Sequence, residues 1–140
     1  MFTRILLAVD GSGHAFHAAE MAGKLARSMK AEEVRIVIAY SAIPAYLGEP
    51  NFQTALDARM QEAEQILKNS LDIVGKVPGE IQTEVIEGSP AEAIINVATV
   101  RKSDVIVMGS RGMGTLGGLL LGSTSQKVVS HAPCPVLIVR

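Results

Sequence analysis

The residues best suited to chemistry lie between positions 107 and 125, in the stretch VMGSRGMGTLGGLLLGSTS. It starts where an apolar run stops and ends where a helical pattern begins. Glycines clear space for a ligand and reach backbone angles that other residues avoid. Successive amides in such a turn form a nest for an anion. The amides of Ser123, Thr124 and Ser125 add the positive end of the following helix. The hydroxyls of Ser123 and Ser125 are expected to donate to phosphate oxygens. Arg111 either adds positive charge or is a solvated loop arginine. The competing account of the whole stretch is a packed loop with no ligand.

A second candidate is Asp10, placed where the first apolar run ends, in Asp10-Gly11-Ser12-Gly13. Its carboxylate can accept from ribose hydroxyls or hold Mg²⁺ through water. Alternatively, it is a turn aspartate bonded to the amides that follow. Two standard phosphate motifs are missing. There is no G-x-x-x-x-G-K-S/T, and the first turn is not G-x-G-x-x-G, so neither a P-loop nor a nicotinamide dinucleotide site is expected. His14 and His17 are three apart and His131 is remote, with no H-E-x-x-H. We therefore expect no histidine metal site, and we see no general base for nucleotide hydrolysis.

Composition narrows the partners. The chain has 140 residues, 48% of them hydrophobic, which fits one folded domain. The 13 Lys and Arg balance 14 Asp and Glu, leaving no cationic surplus for nucleic acid. The lone cysteine, Cys134, permits no internal disulfide and reads as a small buried hydrophobe. No apolar run approaches a membrane span, and the apolar start is too short for a signal peptide. A cytoplasmic location is expected, with no membrane contact.

These residues need a scaffold. Short apolar runs at 5–9, 34–40, 104–108 and 136–139 read as strands covered on both faces. A run at 81–86 alternates in part, as an edge strand does. Helical patterns occupy 13–29 and 53–69, then a segment opened by Ser89-Pro90-Ala91-Glu92, and a last one from about 123 to 131. Ser12 is the expected cap of the first. Ser89, Pro90 and Glu92 form a capping-box start for the third. Leu56, Met60, Ala63 and Leu67 are the expected buried face of the second. Regular β-α alternation gives an α/β fold, an open doubly wound parallel sheet with helices on both faces. Ligands in such folds bind beyond the C-terminal strand ends, which points to Asp10, Tyr40 and Gly109 onward. The connection 41–50 reads either as a flap or as a packed connector.

The chain resembles the universal stress protein family, in its nucleotide-binding branch. The likeness runs from Arg4-Ile5-Leu6-Leu7-Ala8-Val9-Asp10-Gly11-Ser12 to Cys134-Pro135-Val136-Leu137-Ile138-Val139. Gly109, Gly112, Gly122 and Ser123 match the family's ATP signature G-x2-G-x9-G-S/T at every position. Gly88-Ser89-Pro90 resembles a further landmark. The resemblance implies a Rossmann-like sheet of order 3-2-1-4-5. It implies ATP, with Mg²⁺, held by Ala8, Val9, Asp10, the Tyr40 backbone and Met108 around the base and ribose. Gly109, Gly112, Gly122, Ser123 and Ser125 would hold the phosphates. It also implies a homodimer paired through Val136 to Val139, and leaves higher assemblies open.

Three functions follow as expectations. The leading one is an ATP-binding regulatory or stress-response protein with an unidentified protein partner. The alternatives are a slow Mg-dependent ATPase or self-phosphorylating protein, and a ligand-free dimeric interaction module. A fast enzyme is not expected.

Overall fold

The computed structural model describes residues 1–111 and 121–140. Strands β1 (Arg4–Ala8), β2 (Glu33–Tyr40), β3 (Glu80–Glu87), β4 (Val105–Gly109) and β5 (Val136–Val139) form one five-stranded sheet of order β3-β2-β1-β4-β5. All four pairings are parallel. The strand patterns explain this. Ile5 and Leu7 face one core with Val34, Ile36 and Val107, while Leu6 and Ala8 face the other with Val37, Ile106 and Met108. A strand that buries both faces must sit inside a sheet with helices above and below.

Helices α1 (Gly13–Met29) and α2 (Asn51–Val74) cover the first core, and α3 (Pro90–Val100) and α4 (Ser123–His131) the second. Ala15, Ala18, Ala19, Ala22 and Ala26 are buried in α1, so that helix lies close on the sheet. The chain winds from β1 outward to β3, then crosses through α3 to β4 on the other side of β1. The direction reverses between β1 and β4, which opens a crevice at their C-terminal ends.

The differences from the sequence reading are local. The first strand starts and stops one residue earlier than expected. β3 is an edge strand, as its alternation suggested. The second helix is longer than 53–69 at both ends: it runs from Asn51 to Val74, and Gly75, at φ 72°, stops it. Its fully buried residues are Ala63, Leu67, Ser70 and Val74, whereas Leu56 and Met60 are only half-buried. The physical reason is length. A helix of 24 residues spans about 36 Å, more than the strands beneath it, so its first turns overrun the sheet. Ser89 does hold the cap position of α3 with Pro90 next and Glu92 in the first turn, but its side chain makes no capping bond.

Arg35 breaks the apolar run of β2. It is buried among the strands and bonded at 2.9 Å to both Glu33 and Glu84. A buried charge needs such partners. Residues 44–50 are exposed, with Tyr46 in a short 3₁₀ turn, Ala45–Leu47, so the connection is not packed. Among the described residues no helix is long and apolar enough to cross a membrane.

Candidate nucleotide cleft

The crevice is built by two strand-to-helix turns. In the first, the Asp10 Oδ1 accepts from the Ser12 amide at 2.9 Å. The Ser12 hydroxyl in turn accepts from the Ala15 amide at 3.1 Å, capping α1 as expected. Gly11 between them sits at φ 85°, a left-handed angle that glycine reaches without strain. Asp10 thus performs the turn role that the sequence left open. The remainder of its exposed carboxylate still borders the crevice.

The second turn is closed at its neck. The Ser110 amide donates to Val139 O at 2.8 Å, and the Ser110 carbonyl accepts from the Gly122 amide at 2.9 Å. The buried Ser125 hydroxyl lies 2.9 Å from Gly109 O and 3.1 Å from Ser110 O, donating to those carbonyls. The hydroxyl proton of Ser125 thus goes to the protein backbone, where the sequence reading directs it to a phosphate. The reason is placement, because Ser125 lies beneath the end of β4.

The start of α4 differs from that of α1. Gly122 occupies its cap position and has no side chain to offer. The amides of Ser123, Thr124 and Ser125 fall in the first turn, where a helix supplies no carbonyl of its own four residues back. The residue at the cap position, Gly122, gives them no side-chain oxygen. Uncapped amides at a helix start carry the positive end of the helix dipole.

Between the two turns lies a cleft enclosing about 530 Å³, open mouth included. One end is an apolar slot walled by Ala8, Val9, Val37, Ala39, Ile94 and Met108. The other end is polar, with Asp10, Gly109, Arg111, Thr124 and Ser125. An apolar slot leading to a few polar groups is the usual form of a small-molecule site.

The structure therefore brings Ala8, Val9, Asp10, Met108, Gly109, Arg111, Thr124 and Ser125 to one cleft. Gly122 and Ser123 stand beside it, at the start of α4. Gly112 lies outside the described residues. Tyr40 is not in the cleft wall; its neighbour Ala39 is. The Tyr40 carbonyl accepts from the Gly88 amide at 2.8 Å, and its hydroxyl reaches Glu87 at 3.4 Å. Sequence reasoning missed Ala15, Val37, Ala39, Pro90 and Ile94 as cleft residues. The parallel register pairs Val37 with Ala8, a relation that a linear pattern does not carry. Pro90 was visible as the start of the third helix and as part of a landmark, not as a cleft residue.

The histidines have separate partners. His14 Nδ1 lies 3.0 Å from Ser110 Oγ, His17 Nδ1 lies 2.9 Å from Arg140 O, and His131 Nδ1 lies 3.1 Å from Lys127 O. Among the described residues no three His, Cys, Asp or Glu cluster to hold a metal. Cys134 is half-buried; burial pushes its thiol pKa up, and the charge of Asp104 adds to that.

With the cleft defined, its kinship can be stated. The sequence matches the universal stress protein family over residues 1–140. The chain belongs to that family. A universal stress protein of Thermus aquaticus is 49% identical over 140 residues, covering 100% of each chain. One from Methanocaldococcus jannaschii is 32% identical and covers 100% of this chain and 83% of its own. Among solved structures, the universal stress protein UspA from Lactobacillus plantarum is similar at TM-score 0.87 and 28% identity, covering 99% of this chain and 98% of that one. A universal stress protein solved in complex with cAMP is similar at TM-score 0.67 and 27% identity, covering 99% of this chain and 97% of that one.

Proposed function

We propose that this universal stress protein binds an adenine nucleotide, ATP with Mg²⁺, and acts in the cytoplasm as a stress-response regulator through nucleotide-dependent contacts. The observation that carries the reading is the glycine-started N-terminus of α4 beside the polar residues of a mostly apolar cleft. A purine fits walls of Ala8, Val9, Val37, Ala39 and Met108, which supply dispersion and little competing hydrogen bonding. The amides of Ser123 to Ser125 suit phosphate oxygens. Gly122 matters because a serine or aspartate there would cap those amides itself.

The donor set fits a hydrated Mg²⁺ better than a fully protein-bound one. Asp10 is the carboxylate in the cleft wall, and Mg²⁺ commonly keeps its waters and takes one carboxylate plus phosphates. Asp10 would hold the ion through water or meet the ribose. The cAMP complex of a relative at 27% identity supports an adenine nucleotide as the ligand class.

The family's dimer enters the same proposal. β5 lies at a sheet edge with Leu137 partly exposed. An apolar edge strand invites pairing, and a second copy would cover it. Occupancy of the cleft would be transmitted through the Ser110–Val139 bond that ties the site to this strand.

Calorimetric titration with MgATP tests the reading. The expected result is saturable heat, lost in Gly122→Val with the far-ultraviolet circular dichroism unchanged. No heat with protein at tens of micromolar would remove the proposal.

A further inference from the structure

The two edges of the sheet are built for different neighbours. β5 is 4 residues long and carries no charge. β3 is 8 residues long, and its charged residues, Glu80, Glu84 and Glu87, are all acidic. Among the described residues β3 pairs with β2 alone.

The pairing says which backbone groups of β3 are left over. The Glu80 amide donates to Glu32 O at 2.9 Å, and the Gly88 amide to Tyr40 O at 2.8 Å. Successive residues of a strand turn their N–H and C=O to opposite sides. Glu80, Gln82, Glu84 and Ile86 therefore face β2, and Ile81, Thr83, Val85 and Glu87 turn their amides and carbonyls outward. Such a row is a template for another strand. Proteins blunt it with proline, lysine or a bulge. β3 contains neither proline nor lysine, and its register runs unbroken from Glu80 to Glu87.

Charge decides the neighbour. Glu84 is paired with Arg35 at 2.9 Å and Arg101 at 3.4 Å. Glu80 and Glu87 are exposed, and neither forms an ion pair among the described residues. A second copy laid antiparallel on β3 in full register would set Glu80 against Glu87 at both ends, and acids opposed across strands repel. The edge refuses itself, yet a strand of opposite charge can still use it. A matching segment carries basic residues near its ends, beside Glu80 and Glu87. Its middle carries β-branched residues beside Val85, which is 36% exposed.

We propose that the outer edge of β3 docks an extended basic segment of a partner protein, which joins the sheet as an added strand. Main-chain hydrogen bonds to Ile81, Thr83, Val85 and Glu87 hold the segment, and Glu80 and Glu87 select its charge. None of these residues lines the cleft, so docking does not depend on the nucleotide reading.

The test adds the end-blocked peptide Lys-Lys-Val-Thr-Val-Lys-Lys to the full ¹⁵N-labelled chain and follows each amide. The signals of Ile81, Thr83, Val85 and Glu87 should shift, saturate and exchange with deuterium more slowly. The counterpart with Glu for every Lys should bind about tenfold more weakly or worse. Glu80→Lys combined with Glu87→Lys should reverse that preference. Thr83→Pro removes an outward N–H and spares the bonds to β2; it should abolish binding with the circular dichroism unchanged. If that variant does not fold, the charge reversal decides alone. No binding, shifts confined to other residues, or equal binding of the two peptides overturns the inference. A self-association of the wild type that Thr83→Pro breaks in sedimentation gives the edge to a second copy and also overturns it.

Discussion

Replacing Gly109 by alanine tests the close approach on which both turns of the cleft depend. The new Cβ would lie 2.7 Å from His14 Cβ, 2.9 Å from the His14 carbonyl carbon and 3.1 Å from the Ala15 amide nitrogen. Ordinary contact between carbons is ~3.5–4.0 Å. The obstacle is helix backbone, so it cannot rotate away as a long side chain would. Gly109 is not among the glycines with positive φ, so the penalty is purely steric. Overpacking of this kind costs about 1–3 kcal/mol. For a chain of this size that lowers the melting temperature by about 3–15 °C. Gly13→Ala is the matched control. It lies in the first turn of α1, and a Cβ there meets nothing within 4 Å. It should be neutral, or raise stability by about 0.5–1 kcal/mol, because alanine favours helix. Thermal and urea unfolding followed by circular dichroism measure both. Calorimetry should show MgATP affinity falling about tenfold or more in Gly109→Ala, ~1.4 kcal/mol, as α1 is pushed from β4. If the two variants had equal midpoints, the account of how α1 seats on β4 would be wrong.

Other changes read other parts of the design. Ser12→Ala removes the α1 cap on the Ala15 amide and should cost about 1 kcal/mol in urea unfolding; an unchanged midpoint would show the cap to be idle. Ser125→Ala leaves the Gly109 and Ser110 carbonyls without their buried donor. The expected loss is about 1–3 kcal/mol, with weaker MgATP binding by calorimetry, and retention of both properties would contradict the neck described for the second turn. Cys134, with its thiol pKa raised by burial and then by Asp104, should react with iodoacetamide more slowly at neutral pH than a free peptide thiol. Matching rates would show that its environment is open. Raising the pH should speed the reaction as the thiolate forms.

Much of the fold could be read from the chain because its strands are short, apolar and punctuated by helical patterns. β3 announced its edge position through Gln82 and Glu84, which interrupt its apolar run. Where the reading fell short, distance in sequence was the cause. Leu56 and Met60 carry the right spacing, but only the relative lengths of α2 and the sheet decide that they lie past the core. Arg35 looks unfavourable in a strand until β3 brings Glu84 beside it. The polar residues of the cleft that lie after β4 stood out in the sequence because Gly109 and Ser125 bound one continuous glycine-rich stretch. The apolar part of the cleft wall could be read at Ala8 and Met108 and not at Ala39 and Ile94, which arrive from other strands and helices. The sequence placed Ser125 near the cleft but not its hydroxyl's partners, Gly109 O and Ser110 O, since those depend on which carbonyls fold onto it. His14 and Ser110 meet only through the packing of α1 on β4.

The amide groups of the last helix are the heart of the account, and nuclear magnetic resonance reads them one by one. In a ¹⁵N-labelled sample titrated with MgATP, the signals of Ser123, Thr124 and Ser125 should move together and saturate with the calorimetric affinity. If the nucleotide bound while those three signals stayed in place, phosphate recognition would have to lie elsewhere.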